Sequence, residues 1–460
     1  MNDKLIEQYK KFLDNGKTER ECVIQLIQMA KKAGYKDLTA CKKLKAGDKV
    51  YITKMNKAIA LFQIGSQPLE QGMNILGAHI DSPRLDAKQN PLYEKDNITY
   101  LNTHYYGGIK KYQWTALPLA VHGVVCKKDG TTVNVVIGED ASDPVFCISD
   151  ILPHLAQDQM KDKASDFIKG EDLDVIFGSC VPLKKDAKDS KEAKEKERSK
   201  KLILKLLKEK YNIEEKDFES AELEIVPSGA ARDLGLDRSF ILAYGQDDRS
   251  CAFASAAALF QVSADGKALK RTACCLCVDK EEIGSVGATG MASNLFENMV
   301  AELIDKAGGT YSELALRRCL SNSNMLSSDV NAAYDPMNAG LFDKENASVL
   351  GGGIAFQKYT GSRGKSGASD ANPEFIAAVR ACMDKAEVSY QMAELGKVDQ
   401  GGGGTIAYHA AKYGMNVLDA GVAVLSMHAP WEIVSKEDVC QMYEGCRAFL
   451  GIYLSPSKTS

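Results

Sequence analysis

The sequence predicts a mixed α/β protein with helices on both faces of its sheet, interrupted by an inserted β-rich domain. After residue 240, short apolar runs alternate with Ala-rich helical stretches, as in a mixed α/β layer. From about residue 92 to 240, strand-forming segments prevail. The 460 residues also exceed the size at which one core usually stops growing. We therefore expect a discontinuous domain, residues 1–91 and 241–460, with residues 92–240 inserted as a domain for dimerisation or oligomerisation.

The first 35 residues predict two helices. Apolar residues recur at helical spacing in the first of them: Leu5, Ile6, Tyr9, Phe12 and Leu13. Asn15-Gly16 interrupts this pattern, and Thr18-Glu19-Arg20-Glu21 then has the form of a capping box that begins a second helix. We interpret both helices as structural.

Strands and turns dominate the expected inserted domain. Residues 98–106 form a β-rich stretch, and Asp129-Gly130 between residues 119–125 and 132–137 predicts a hairpin. Residues 184–201 consist almost entirely of charged and small polar side chains and are too polar to be buried. We expect them to form a loop or the exposed start of the next helix, and we assign them no chemistry.

Composition excludes several classes of protein. The net charge of -4, with 45% apolar and 26% charged residues, offers no basic excess for nucleic acid. The sequence contains no apolar run of about 18 residues, the length that would predict a membrane span. The amino terminus also lacks the apolar core of a secretory signal. Thirteen cysteines, an odd number scattered through apolar segments, suit a reducing compartment. We therefore expect a cytoplasmic protein.

One cysteine cluster has the spacing of metal and redox sites. Cys274-Cys275-Leu276-Cys277 contains a C-x-x-C pair, but no second pair matches it elsewhere in the chain. The cluster lies in residues 272–278, an unbroken apolar run of strand length. We interpret these thiols as core side chains.

Histidines and carboxylates recur where short apolar runs end. Two of the six histidines in the chain, His79 and His428, end such runs. Asp247, Glu281-Glu282 and Asp329 follow three other runs. Because ligands bind at the carboxyl ends of strands in α/β sheets, we expect all five strand ends to converge.

Two imidazoles and three carboxylates suit a pair of divalent metal ions. Zinc is the leading candidate, with manganese or cobalt as alternatives. Each ion would have one histidine, one terminal carboxylate and a share of a bridging carboxylate. A water would then lie between two ions that are about 3.5–4 Å apart.

Two further carboxylates suggest supporting roles. In His79-Ile80-Asp81, a spacing of two puts both side chains on one side of an extended segment, so Asp81 could fix the tautomer of His79. Glu281 and Glu282 point in different directions, so one can bind metal while the other acts as general base. Each motif is weak alone, and only the ordered series of motifs favours a functional site.

The chain also resembles a known family, the aspartyl aminopeptidase and vacuolar aminopeptidase I group of dizinc exopeptidases, over nearly its whole length. The matching motifs are Gly77-Ala78-His79-Ile80-Asp81-Ser82-Pro83-Arg84-Leu85, Gln246-Asp247-Asp248-Arg249-Ser250, Asp279-Lys280-Glu281-Glu282-Ile283-Gly284-Ser285, Ser328-Asp329-Val330-Asn331-Ala332, Gly403-Gly404-Thr405-Ile406 and Ser426-Met427-His428.

The resemblance implies a role for each residue of the series. His79 and Asp329 would hold one zinc ion and Glu282 and His428 the other. Asp247 would bridge the two ions and continue into Asp248 through a strained peptide. Glu281 would be the general base, and Asp81 would orient His79.

The resemblance also implies the architecture and the assembly. The family has an α/β catalytic domain interrupted by a β-rich domain, and it builds homo-oligomers, typically dodecamers, with inward-facing active sites. Residues 151–156 are similar to a family segment in which a histidine reaches a neighbouring subunit's site. His154 would therefore help to stabilise the tetrahedral intermediate in a neighbouring subunit, the alternative being an ordinary surface or core histidine.

The preferred first residue of the substrate stays open. Aspartyl members of the family prefer amino-terminal Asp or Glu, whereas vacuolar and some bacterial relatives accept Leu and other neutral residues. Residues 356–363 do not match the aspartyl pattern closely. Lys358 or Arg363 could pair with a substrate carboxylate, or both could be ordinary exposed cations.

The sequence thus predicts a metallo-aminopeptidase that hydrolyses the N-terminal residue, acidic or neutral, from peptides. A metal-bridging water would attack the scissile carbonyl with Glu281 as general base. One alternative is a dizinc deacylase or carboxypeptidase, because the same ligand types serve amide hydrolysis in general. Another is a non-catalytic self-assembling scaffold with a structural metal site, although the candidate base argues against it.

Overall fold

The computed structural model describes residues 2–180, 196–266, 268–308, 311–361 and 363–452. The chain forms two compact units. The first comprises residues 1–82, 231–427 and 431–460, and the second comprises residues 83–230 and 428–430. Most of the charged run predicted to be solvated, residues 184–195, lies outside the described residues.

Helices and strands are numbered here in chain order. The helices are α1 Asp3–Asp14, α2 Glu19–Lys32, α3 Arg198–Tyr211, α4 Gln246–Ala264, α5 Leu295–Lys306, α6 Glu313–Ser321, α7 Pro373–Lys385, α8 Ile406–Ala411 and α9 Lys436–Leu450. The strands are β1 Lys36–Asp37, β2 Lys49–Lys54, β3 Ala58–Gln63, β4 Met73–His79, β5 Arg84–Lys95, β6 Ile98–Tyr106, β7 Leu119–Cys126, β8 Thr132–Ile137, β9 Val175–Ser179, β10 Ala221–Pro227, β11 Arg232–Leu234, β12 Phe240–Ala243, β13 Thr272–Val278, β14 Asn324–Ser327, β15 Asn331–Ala332, β16 Ile354–Gln357, β17 Tyr390–Met392, β18 Asn416–Gly421, β19 Ala423–Leu425 and β20 Glu432–Ser435.

The two predicted amino-terminal helices are confirmed as α1 and α2. The apolar stripe of α1 is buried, as its helical spacing required. Thr18 caps α2, because its side chain accepts a hydrogen bond from the backbone N–H of Glu21 while the Glu21 side chain accepts one from the N–H of Thr18. Sequence periodicity and capping chemistry therefore located both helices.

The first unit is built on a mixed sheet. Among the described residues, nine strands form it in the order β1-β2-β3-β13-β4-β14-β18-β16-β17. β13, β4, β14 and β18 are parallel neighbours, whereas β3 and β16 run antiparallel to their partners β13 and β18. The mixed α/β class is therefore confirmed.

Both faces of this sheet are covered by helices. Along β13, Cys275 and Cys277 belong to a core with α1, α2, α4, α7 and α9, whereas Cys274 and Leu276 belong to a second core with α5, α6 and α8. Because side chains alternate along a strand, each face of β13 joins a different core. The cysteine cluster is fully buried, which confirms that it is core.

The first unit also contains a second sheet. In the part of the chain that the structure describes, five strands form it in the order β11-β12-β20-β19-β15. The five strands that precede the predicted site residues are therefore divided between two sheets, because β12 and β19 belong to this one. Local apolar runs predict strands, but only pairing between distant segments decides which sheet a strand joins.

The second unit contains an antiparallel sheet. Six of the described strands form it in the order β8-β7-β10-β5-β6-β9, and β7 and β8 form the predicted hairpin. Helix α3 packs here, where Ser199 Oγ lies 2.7 Å from Thr99 Oγ1. This unit begins at Pro83, earlier than the expected residue 92, because β5 already pairs in its sheet.

Among the described residues, no helix combines the length and the apolar character that crossing a bilayer requires.

Candidate metal centre

Three parallel strands of the nine-stranded sheet end at one edge. His79, the last residue of β4, pairs with the last residue of β13, and the end of β14 pairs with β4 two residues before His79. Glu281 and Glu282 follow β13 on the 3₁₀ turn Glu281–Ile283, and Asp329 follows β14 by two residues. The topology of the sheet therefore brings these four side chains together.

Asp247 joins this cluster from the start of α4, which follows β12. The helix is preceded by Gly245 with a φ of 69°, and a Cβ there would lie 1.9 Å from Nη1 of Arg249. Glycine is therefore required at this turn. Asp247 itself has non-helical dihedral angles, φ -80° and ψ 108°, and the Asp247–Asp248 peptide bond is cis.

The imidazole of His79 lies at the centre of the cluster. Its Nε2 atom is 3.2 Å from Asp247 Oδ1, 3.9 Å from Asp329 Oδ1 and 4.0 Å from Glu281 Oε2. Two groups of three side chains each bring their ligand atoms within 4.8 Å of one another. These groups are His79 with Glu281 and Asp329, and His79 with Asp247 and Glu282.

Asp81 contacts three of the residues in this cluster. Its Oδ1 atom lies 3.4 Å from Nδ1 of His79, and its backbone oxygen lies 3.1 Å from the same nitrogen. Its two carboxylate oxygens also accept hydrogen bonds from the backbone N–H groups of Glu281 and Glu282, each at 3.2 Å. A single carboxylate can thus fix both the imidazole and the turn that carries the two glutamates.

Burial and crowding shift the proton affinities of the cluster. Burial opposes a charge on His79, but hydrogen bonds with Asp247 and Asp81 outweigh it and raise the pKa of His79 well above its usual value. Burial, reinforced by the charge of Glu281, raises the pKa of Asp329 well above its usual value. Because neighbouring negative charges repel one another, the carboxylates of this cluster cannot easily all be ionised together.

The chemistry of this donor set fits divalent metal ions. An imidazole nitrogen surrounded by carboxylate oxygens suits zinc, manganese or cobalt. Cations between these carboxylates would offset the repulsion that raises the pKa of Asp329. His79, Asp247, Glu282 and Asp329 could therefore hold metal, and Glu281 also offers a carboxylate oxygen within the cluster.

The two other predicted histidines lie in the second unit. His428 Nδ1 is 2.9 Å from the backbone oxygen of Gly108, and His428 belongs to neither of the two groups that contain His79. His154 is exposed on the 3₁₀ turn Pro153–Leu155. The roles expected for both histidines stay predictions.

Two cationic side chains that could pair with a substrate carboxylate, Lys358 and Arg363, are both exposed. Lys358 follows β16 directly, and Arg363 lines a cavity of about 200 Å³ together with Lys365 and Lys397. Ser362, which belongs to the same segment, lies outside the described residues. The preference for the first residue therefore stays a prediction.

Three residues that support the candidate site were given no role by the sequence analysis. Ser82 and Glu432 contact the backbone of Asp247. Asp279 accepts hydrogen bonds from the N–H of Lys280 and from the hydroxyl of Thr289, and so holds the loop that carries the glutamates. Asp279 ends an apolar run like the predicted ligands, and this signal could have identified it. Glu432 has no comparable signal, because its proximity to Asp247 depends on pairing between β12 and β20.

Known proteins resemble the chain over nearly its whole length. The family model described as aminopeptidase I zinc metalloprotease (M18) matches residues 12–450. A probable M18 family aminopeptidase 1 of Clostridium acetobutylicum is 56% identical over 448 residues, which cover 96% of this chain and 94% of the relative.

Solved structures are similar as well. A crystal structure of an M18 aminopeptidase from Thermotoga maritima has a TM-score of 0.91 and 41% identity, with 98% of this chain and 97% of that chain covered. The structure of the mApe1 dodecamer of S. cerevisiae has a TM-score of 0.76, with 96% of this chain and 95% of that chain covered. Its identity is 20%, so this second likeness concerns the fold alone.

Proposed function

The chain belongs to the aminopeptidase I family of zinc metalloproteases (M18), and on that premise we propose that it removes the first residue of peptides at a two-metal centre. The observation that carries the proposal is the pair of ligand groups that share His79. An imidazole surrounded by four carboxylates offers the donor types that divalent ions bind in proteins, and its position close to both pairs of carboxylates makes the site compact. Family membership favours this activity over the deacylase and scaffold alternatives.

We assign the ligands as the family resemblance implies. His79 and Asp329 would hold one ion, Glu282 and His428 would hold the other, and Asp247 would contribute to both. The distance of 3.9 Å between His79 Nε2 and Asp329 Oδ1 supports their pairing, and the proximity of Asp247 to both His79 and Glu282 supports its shared role. When bound, two divalent ions supply Lewis acidity and a water of lowered pKa.

Glu281 is the proposed general base. Its Oε2 atom lies 4.0 Å from His79 Nε2, and its backbone N–H is held by Asp81. Oε2 takes a proton from the attacking water and later gives it to the nitrogen of the leaving amine. The peptide bond is thereby hydrolysed with no net change in the protonation of Glu281.

Hydrolysis of a peptide panel tests the proposed activity. The peptides begin with Asp, Glu, Leu, Ala or Lys and carry either a free or an acetylated amine. We expect cleavage of the free amines alone, its loss with a chelator, and its recovery with zinc, manganese or cobalt. Equal cleavage of acetylated peptides would instead favour the deacylase, and no cleavage under any metal would overturn the proposal.

The same panel decides between acidic and neutral first residues. Arg363→Ala and Lys358→Ala extend the test to the two exposed cations. If either cation pairs with a substrate carboxylate, its variant loses kcat/KM for peptides beginning with Asp but not for those beginning with Leu. Equal effects on both peptides would assign the cation to the surface.

We propose further that the chain assembles into a homo-oligomer, a dodecamer as in the yeast relative. Supporting this, large apolar side chains around His154 are exposed in the single chain, with Leu155 at 71% and Met160 at 69%. Assembly would cover such a surface and could bring His154 to a neighbouring active site. The molar mass from light scattering tests the assembly.

A further inference from the structure

The backbone of Asp247 is held by two side chains from separate segments of the chain. Glu432 Oε2 accepts a hydrogen bond from the Asp247 N–H at 2.9 Å, and Ser82 Oγ donates one to the Asp247 carbonyl oxygen at 2.7 Å. Glu432 begins β20, whereas Ser82 lies three residues after β4. The N–H and the C=O of Asp247 therefore each bond to a buried side chain.

Glu432 is itself fixed in place. It pairs with Ala243 in the register of β12 and β20. The side-chain amide of Gln246 donates to the Glu432 carbonyl oxygen at 2.6 Å and to the Ile241 carbonyl oxygen at 3.2 Å. The hydroxyl of Tyr9 donates in turn to Gln246 Oε1 at 3.0 Å. The acceptor that holds Asp247 thus belongs to a network that links α1, α4 and β20.

Burial makes Glu432 an unusual residue for a purely structural task. Its side chain is only 1% exposed, and Ser82 is fully buried. Burying a carboxylate costs far more free energy than burying a neutral acceptor. A charged acceptor, however, makes a shorter and stronger hydrogen bond to an N–H group than a neutral one. Such a bond would limit the motion of Asp247 more tightly.

Asp247 is the residue for which this restraint matters. Its Oδ1 atom faces His79 Nε2 at 3.2 Å, and it also belongs to the group with Glu282. A bridging carboxylate must present both oxygens in one orientation, so a small rotation of its backbone would misalign it toward both ions. Free movement here would therefore weaken the whole centre.

We propose that Glu432 and Ser82 are positioning residues that hold Asp247 in the orientation needed to bridge two metal ions. The inference rests on the proposed metal centre, because Glu432 and Ser82 would act on it only through Asp247. Neither residue needs to contact metal or substrate.

Titration of the metal-free protein with Co²⁺, followed by its visible absorption, tests this inference without any peptide. Glu432→Ala and Ser82→Ala remove one contact each, and we expect each to weaken Co²⁺ binding about 10–100-fold and to change the absorption spectrum. Glu432→Gln keeps an acceptor oxygen at the same distance along the side chain. It should therefore restore affinity to within about fivefold of the parent protein.

Ser435→Ala is the matched control. Ser435 lies on the same strand as Glu432, is equally buried and caps α9 by accepting the N–H of Glu437, so its loss affects stability away from Asp247. We expect Ser435→Ala to lower Tm without changing Co²⁺ binding. If Glu432→Ala does not fold, Ser82→Ala decides the question.

The outcomes separate this inference from the metal centre itself. Parent-like Co²⁺ binding by folded Glu432→Ala and Ser82→Ala would overturn the inference alone. So would equal weakening in Ser435→Ala, which would indicate a general loss of stability. Failure of the parent protein to bind Co²⁺ would overturn the metal centre and the inference together.

Discussion

The proposed ligands and the proposed base of the centre need different surroundings. The proposed ligands would hold cations, whereas Glu281 would exchange a proton repeatedly and so need access to water. His79 and Asp247 are almost completely buried, whereas Glu281 is only partly buried, as are the proposed ligands Glu282 and His428. The partial exposure of Glu281 is compatible with proton exchange, but exposure does not by itself separate the base from the ligands.

Glu281→Gln is predicted to separate turnover from metal binding. The amide cannot take a proton, so kcat should fall by about 100-fold or more. The bound metal, measured by elemental analysis, should stay at the level of the parent protein. Glu302→Gln, an exposed glutamate on α5, is the control and should keep full activity. Retention of more than about a tenth of the parent kcat would exclude Glu281 as the base.

A second prediction concerns Asp419, a fully buried carboxyl on β18. Burial raises its pKa to about 7, although the hydroxyl of Thr405 donates to its Oδ1 at 2.6 Å. The folded state therefore binds this proton more strongly than the unfolded state, in which the pKa is about 3.9. The contribution of Asp419 to stability is highest at low pH and falls as the pH rises toward 7.

Asp419→Asn removes this ionisation and should change the pH dependence of stability. We expect the Tm of the variant relative to the parent protein to rise between pH 5 and pH 8, as measured by scanning calorimetry. Exposed Asp305→Asn provides the comparison and should show no such trend. A difference in Tm that is independent of pH would contradict a raised pKa at Asp419.

Helices and strands show where local patterns suffice and where they fail. The spacing of apolar residues predicted α1, and the capping box predicted the start of α2, because both signals act within a few residues. The membership of β12 in a second sheet could not be predicted, since it depends on pairing with β20 far along the chain. The position of Glu432 behind Asp247 was hidden for the same reason.

The start of α2 offers a test of the capping interaction. Thr18→Ala removes the acceptor for the N–H of Glu21 and should destabilise the first unit by about 1 kcal/mol. We expect Tm to fall by about 1–2 °C in thermal unfolding followed by circular dichroism. Thr18→Ser keeps the hydroxyl and should stay near the parent value. A serine variant as unstable as the alanine variant would show that the methyl group, rather than the cap, stabilises the helix.

The last prediction concerns His154 and depends on assembly of the chain into an oligomer. If His154 acts in a neighbouring subunit, His154→Ala and Glu281→Gln homo-oligomers are both nearly inactive for different reasons. Co-expressed as mixed oligomers, the two chains should recover part of the activity, because some sites then combine an intact base with a neighbour's intact histidine. Activity is measured on a purified mixed oligomer of the parent's mass. Absence of recovery would place the action of His154 within its own chain or exclude it.

The order of strands in the nine-stranded sheet bears on how the chain is made. β3 and β4 are close in sequence, yet β13 lies between them in the sheet. A ribosome must therefore add roughly two hundred further residues after β4 before β13 emerges. At about 5–20 residues per second, this takes on the order of 10–40 s. Throughout that interval, β3 and β4 lack β13, the strand that lies between them in the native sheet. Their apolar edges are therefore unpaired, and we expect the nascent chain to be most prone to aggregation while the second unit is being synthesised.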